Sequence, residues 1–334
     1  MGAPCLDLET WDLRVGEEET IYWTHSASCS TMAPMRKHSF SIFLAVALAA
    51  GASAHGQQLP AALTTDPPID KAHPATMDAF QIPSHGAQLN AIAYLAAGEG
   101  PHPVVIVLHG FPGNEKNLDL AQSIRRAGWN AVFFNYRGSW GSPGNFSFAN
   151  SLEDTQSAIA YLREPANAVR LRTDPKRIAL VGHSMGGFMA AYAGSHDPAI
   201  LGTAMISAAD MALMGQQAAN GADAKTAVSQ LAAALEKEDI LPLAGCTGEN
   251  LAKELIANAK PWDFIGYAGL FGNRPLLLVT SDDGLAPFSA SLATALRKQG
   301  STRVTEVHFP TDHSYSDHRI ALQATVLNWL ATLQ

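Results

Sequence analysis

Cysteine is scarce. The 334 residues contain three, too few to staple a chain of this length and without the paired spacing of a zinc site. Charge is also sparse, at 16% of residues, with 22 Lys and Arg against 30 Asp and Glu for a net charge of −8. Without a cationic excess to neutralise phosphates, no nucleic-acid partner is expected. The apolar run at 41–50 falls well short of the roughly 20 residues that span a bilayer, and no repeat of fixed period is visible. What is plentiful is apolar side chain, 47% of the total, at a mean hydropathy near zero. That balance excludes a disordered tail, a collagen-like repeat and a polytopic membrane protein.

The amino end carries an ordered pattern. Arg36 and Lys37 precede the apolar run, and Ala52-Ser53-Ala54 follows it as a small-x-small cleavage site. This is the layout of a secretory signal peptide over residues 35–54. Residues 1–34, with the acidic Glu17-Glu18-Glu19, do not suit the start of such a signal. Met35 is therefore expected to be the true initiator, and 1–34 a gene-start artefact or an extension. Cleavage after Ala54 leaves 280 residues with 19 basic and 24 acidic side chains and a single cysteine, Cys246. A lone cysteine cannot form an internal disulfide, which is compatible with a periplasmic or secreted location.

In the remainder, residues 55–76 are Pro-, Ala- and Gln-rich and read as a loose leader. Residues 77–334 then alternate strand and helix. Segments 78–83 and 88–95 flank the Ser84-His85-Gly86 turn as an antiparallel pair. VVIVL at 104–108 and LLLVT at 276–280 are continuous apolar runs, the signature of strands buried on both faces. Further strands are expected at 131–135, 177–181, 202–207 and 303–309, with helices at 118–127, 152–162, 184–194, 289–298 and 318–333. This order predicts an α/β fold, a mostly parallel eight-stranded sheet with helices on both faces. Residues 210–265 interrupt the alternation. Val228, Leu231 and Leu235, then Leu251 and Leu255, predict two amphipathic helices there, a helical cap beside the catalytic edge.

Gly182-His183-Ser184-Met185-Gly186 is a G-x-S-x-G between RIALV and the helix-forming FMAAYA. That context is what a nucleophile elbow requires: a serine in a strained strand-to-helix turn, flanked by glycines that avoid clashes. A serine hydroxyl needs a base to take its proton and an acid to orient that base. Later strands lead into Ser281-Asp282-Asp283-Gly284 and into Pro310-Thr311-Asp312-His313, in the chain order expected for this arrangement. His313, in the loop after the last strand, is the expected base; His308 lies within the strand and His318 opens the helix. Asp282, Asp283 and Asp210 compete as the acid, and Asp283 fits the acid-loop spacing best. The oxyanion requires two preorganised N–H donors. These are expected from the backbones of Met185 and Phe111, the latter because Pro112 has no N–H. His109 is expected to order that loop.

HGFPGN, NYRGSWGSPG, DPKRIALVGHSMGGF, SDDGLAP and TDHSYSDHR together resemble landmarks of the α/β-hydrolase superfamily over roughly residues 77–334. The last two resemble segments of prolyl-oligopeptidase-like and dienelactone-hydrolase-like enzymes. The resemblance implies a triad of Ser184, Asp283 and His313. It departs from oligopeptidases because 280 residues leave no room for their propeller domain. The insertion looks more like the helical cap of lipases and esterases, and the serine in the elbow argues against a dehalogenase.

The leading expectation is an exported serine hydrolase that cleaves small-molecule carboxylic esters through an acyl-enzyme on Ser184. Phe111, Phe188, Met205, Met211, Met214 and Trp262 are candidates to line an apolar pocket. An aminopeptidase or amidase acting on short peptides could use the same triad, with Glu236, Glu238, Asp239 or Glu249 holding a substrate amine. A non-catalytic binding protein on the same fold would normally have lost a triad member, and none is lost here. Nothing in the sequence calls for a metal or organic cofactor.

Overall fold

A computed structural model describes residues 14–15, 21–22, 59–219 and 223–333. The chain divides into two units, 1–55 and 56–334. In the first, Arg14–Val15 pairs antiparallel with Ile21–Tyr22. The expected signal peptide at 35–54 lies outside the described residues, as does the rest of 1–34.

In the second unit, eight strands build one sheet. They are β1 Thr76–Ser84, β2 Ala87–Leu95, β3 His102–Leu108, β4 Asn130–Phe134, β5 Thr173–His183, β6 Gly202–Ile206, β7 Leu276–Thr280 and β8 Val304–His308. Their spatial order is β8-β7-β6-β5-β3-β4-β2-β1. β2 runs antiparallel to both neighbours, and the pairs from β4 to β8 are parallel. β1 and β2 join through His85 and Gly86, both at positive φ; consecutive positive φ values define a turn whose twist matches the paired strands. The central strands are apolar throughout because both faces are covered: Val104–Leu108 and Leu276–Val279 are essentially solvent-free. Alternate residues along them enter two separate cores, one on each face.

The helices are α1 Leu118–Arg126, α2 Phe148–Arg163, α3 Met185–His196, α4 Met211–Ala219, α5 Ala224–Lys237, α6 Gly248–Ala257, α7 Ala286–Lys298 and α8 Arg319–Ala331. Several boundaries differ from the sequence expectation for identifiable reasons. α2 starts four residues early because the Ser147 side chain accepts from Asn150 N and Glu254 of α6 accepts from Phe148 N and Ala149 N, each at 2.9 Å. The leader is less loose than its composition implies. Residues Ala61–Thr64 form a short helix, Ala62 is buried, and its carbonyl accepts from Arg126 Nε at 2.5 Å.

The insertion contains the two expected helices as α5 and α6, and α4 in addition. α4 is apolar, MALMGQQAA, without the clear 3.6-residue stripe that marks an exposed helix. The insertion is fastened to the loop after β4. Trp140 N donates to Pro242 O at 3.0 Å, Phe146 N to Ala244 O at 2.9 Å and Ala244 N to Gly138 O at 2.6 Å. Gly138 is required there, since a Cβ would sit 2.8 Å from Ala244 O and 2.3 Å from Phe146 N.

Candidate active site

Ser184 stands between β5 and α3 with φ 57° and ψ −123°, a conformation that L-residues other than Gly rarely adopt. Its neighbours explain how the turn closes. A Cβ on Gly182 would lie 1.9 Å from Gly186 O, and one on Gly186 would lie 2.1 Å from Leu108 O. The turn is tied to the adjacent strand, with Ser184 N donating to Ile206 O at 2.9 Å and Ala209 N donating to Ser184 O at 3.1 Å. The N-terminus of the 12-residue α3 begins at the next residue, so its partial positive charge falls beside the hydroxyl. Among the described residues the Ser184 hydroxyl has no hydrogen-bond partner.

The loops after β7 and β8 bring Asp283 and His313 together. His313 Nδ1 and Asp283 Oδ2 are 2.8 Å apart, and the Asp283 side chain is only 5% exposed against 40% for His313. Burial would raise the Asp283 carboxyl, but hydrogen bonds from His313, Ser207, the Leu285 backbone and Ser281 outweigh it and hold the group well below its usual range. It therefore remains an acceptor, which fixes the His313 proton on Nδ1 and leaves Nε2 free to accept.

The competing carboxylates are engaged elsewhere. Asp282 is 65% exposed and faces His308 Nε2 at 3.1 Å. Asp210 is buried, and its Oδ1 accepts from Ala212 N at 3.0 Å and Leu213 N at 3.2 Å at the start of α4. Burial, reinforced by the charge of Asp263 against those backbone bonds, pushes it up to about 6. His318 pairs with Asp317 at 2.8 Å and packs on Phe309.

Gly110 lies against the serine, where a Cβ would come within 2.8 Å of Ser184 Cβ and 3.3 Å of Oγ. Next to it, the N–H of Phe111 has no protein acceptor among the described residues, and neither has that of Met185. His109 is buried and donates from Nδ1 to Gly110 O at 2.8 Å. Burial pushes it down to about 4, so it stays neutral. It orders the loop, as the sequence suggested. Of the apolar candidates, Phe188, Met205, Met211 and Trp262 are fully packed into the core rather than lining free space; Phe111 and Met214 are half-buried at its edge. Phe111 packs on Phe146 and Phe148 at 5.8 and 5.6 Å.

Sequence reasoning missed the residues that hold the Asp283 and His313 loops in place. The Ser207 hydroxyl lies 3.0 Å from Ser281 Oγ and 2.9 Å from Tyr315 Oη. Ser207 and Tyr315 both have positive φ, 41° and 57°. Arg319 donates to Ser314 O at 3.0 Å and to Asn117 Oδ1 at 3.0 Å, and is itself held by Asp119. His183 Nε2 lies 2.8 Å from His313 O. The one available signal was position: Ser207 directly follows β6, His183 directly precedes Ser184, and both sit at the strand ends where an open α/β sheet gathers its functional groups.

A profile of the alpha/beta hydrolase fold family matches residues 103–237. An uncharacterized Escherichia coli protein, YfhR, is 40% identical over 86 residues, covering 25% of this chain and 28% of its own length. The chain thus matches under a third of that relative. Among solved structures, a Pyrococcus furiosus esterase superposes with a TM-score of 0.55 at 16% identity, over 80% of this chain and 99% of the esterase. Est1E from Butyrivibrio proteoclasticus, solved with ferulic acid bound, gives a TM-score of 0.57 at 20% identity over 76% of this chain and 98% of Est1E. The sheet order, the strand-to-helix turn at Ser184 and these likenesses agree: the chain has the α/β-hydrolase fold, and its residues 103–237 match the profile of that fold family.

Proposed function

We propose that the protein is an exported serine hydrolase that cleaves small-molecule carboxylic esters, with Ser184 as nucleophile, His313 as base and Asp283 as the orienting acid. The observation that carries the reading is the half-buried Asp283–His313 hydrogen bond, at the carboxyl ends of the strands where Ser184 occupies its strained turn. In the mechanism, His313 Nε2 takes the Ser184 proton as Oγ attacks the ester carbonyl. The tetrahedral oxyanion accepts hydrogen bonds from the Phe111 and Met185 N–H groups, with the α3 terminus adding positive potential. Collapse of this intermediate expels the alcohol, which leaves with the proton from His313. Water then attacks the acyl-enzyme, losing its proton to His313, and the acid is released as Ser184 is reprotonated.

An ester is favoured over a peptide by the state of the acidic residues in the insertion. Glu236 accepts from Gly248 N and Glu249 pairs with Lys253 on an exposed helix face; Glu238 and Asp239 are exposed. None of the four is set up to receive a substrate amine. Supporting the ester reading further, the superposable Pyrococcus furiosus and Butyrivibrio proteoclasticus proteins are described as an esterase and as binding ferulic acid. The test is a panel of nitrophenyl esters of rising chain length beside aminoacyl nitroanilides. Higher kcat/KM on esters by orders of magnitude supports the reading; preference for the anilides replaces it with the amidase.

A further inference from the structure

His313 is carried on a loop, and its side chain is 40% exposed. Asp283 holds the ring at Nδ1 but not the main chain that brings the ring within reach of Ser184. Two side chains grip that main chain at consecutive carbonyls: Arg319 donates to Ser314 O and His183 Nε2 lies 2.8 Å from His313 O. Arg319 belongs to α8, which follows directly from the same loop. His183 belongs to β5 and immediately precedes the nucleophile. Its single hydrogen bond therefore sets the distance between the segment bearing Ser184 and the segment bearing His313.

The chemistry of this bond is unambiguous. A carbonyl can only accept, so the His183 proton is on Nε2. Burial, with the charge of His313 acting in the same direction, pushes His183 down to about 3, so the ring is neutral near pH 7. Nδ1 is buried with no partner among the described residues. An unsatisfied buried nitrogen is destabilising, a penalty that a residue present only to fill space would not incur. The two rings lie 4.6 Å apart, tilted by 42°, so the His183 ring also walls one side of His313.

We propose that His183 is a positioning residue for the base: its Nε2–H fixes the His313 backbone, and with it the reach of the His313 ring toward Ser184. This rests on His313 being the base, and it deepens that reading by separating hydrogen-bond donation from packing. His183→Phe keeps a ring and loses the donor. His183→Gln loses the ring but places an amide N–H near where Nε2 lies.

The experiment measures steady-state kinetics on nitrophenyl butyrate, together with the low-field proton resonance of the His313–Asp283 hydrogen bond. With the donor lost, misplacement of the base lowers kcat of His183→Phe by about 10²-fold with KM nearly unchanged, whereas His183→Gln stays within about fivefold of the natural protein. The low-field resonance is retained in the Gln variant and broadened or lost in the Phe variant. If the Phe variant does not fold, His183→Met carries the same comparison. Natural kcat in the Phe variant, or equal losses in both variants, overturns the proposal. The resonance is read without turnover, so it tests His183 even if the ester panel fails. Failure of the hydrolase reading shows separately, as absence of fluorophosphonate label on Ser184 of the natural protein.

Discussion

At Ser184, Ser207 and Tyr315 the backbone adopts positive φ without glycine, and the side chains of Ser207 and Tyr315 join the hydrogen-bonded group around Asp283. Such conformations cost on the order of 1–3 kcal/mol each and persist only where surrounding bonds enforce them. Here Ile206 O, Val279 O and Asp312 O accept from the three backbone nitrogens. The sequence left open whether Asp282 or Asp283 meets His313, because they differ by one position; burial and the His313 contact single out Asp283. Asp283→Asn should keep the fold yet lower kcat by about 10⁴, since the amide favours the wrong imidazole tautomer. Asp282→Asn should leave kcat/KM close to natural, its side chain facing water and His308. A large loss in Asp282→Asn with a mild one in Asp283→Asn exchanges their roles. Asp210 gives a different signature. Burial pushes its carboxyl up to about 6 from the ordinary aspartate value of about 4, so the folded state binds more protons and its contribution to stability falls as pH rises from about 4 to 6. Asn cannot titrate and remains a good helix cap. The Tm of Asp210→Asn relative to the natural protein should therefore rise across that window and level off above it; a flat difference would show that the carboxyl is not destabilised by burial.

Elements with strong periodicity or continuous apolar runs were legible in the sequence: all eight strands, α1, α5 and α6 are where the patterns put them, within a few residues. The elements that escaped are held by long-range bonds the local sequence cannot announce. α4 has no apolar stripe, and the first turn of α2 depends on Glu254, more than 100 residues later. The loop after β4 is the clearest case. It reads as glycine-rich coil, yet Arg137 anchors it through a buried ion pair with Asp154 at 2.6 Å, the Asp154 carboxylate also accepting from Arg137 N and Ser84 Oγ. Asp154→Ala leaves the Arg137 guanidinium to Glu153 and Asn150 O but strips the buried acceptor from Arg137 N and Ser84 Oγ, and should destabilise by about 1–3 kcal/mol, measured by denaturant unfolding. A loss under about 1 kcal/mol would mean that water reaches these groups. Glu254→Ala removes the acceptor for two α2 N–H groups at a partly buried site and should cost about 2–3 kcal/mol. Because the insertion is bonded to the 138–146 loop on its other side, the fold should survive that substitution. Urea titration of Glu254→Ala, with fluorophosphonate labelling of Ser184, reads both expectations.

At the scale of the whole molecule, sheet order and hand follow from simple constraints. Parallel strands need crossovers, the helices supply them on both faces, and the carboxyl ends of the strands gather the loops that carry Ser184, Asp283 and His313. The fold class was thus readable from motif order, as were the two loops that bring Asp283 and His313 within 2.8 Å, whereas the contacts of His183, Ser207, Tyr315 and Arg319 were not, because each is an ordinary residue until the loops meet. Location depends on residues outside this architecture. The basic, apolar and small-residue segments at 35–54 have the order of an export signal, and no described helix is long and apolar enough to cross a membrane. Downstream of Ala54, Cys246 is the one cysteine; it is half-buried, and burial raises its thiol above the usual range, which lowers its thiolate fraction and slows oxidation. These observations motivate one measurement, amino-terminal sequencing of the protein isolated from its native host. If export and cleavage occur as the signal implies, the first residue is His55 or lies within a residue or two of it, and the protein is recovered outside the cytoplasm. A mature terminus upstream of Met35 would refute both the start site and the cleavage. A terminus at Met35 itself would keep the start site and remove export, leaving the chemistry proposed for Ser184 unchanged, since His183, Ser207, Asp283, His313, Tyr315 and Arg319 all lie in the unit that follows residue 55.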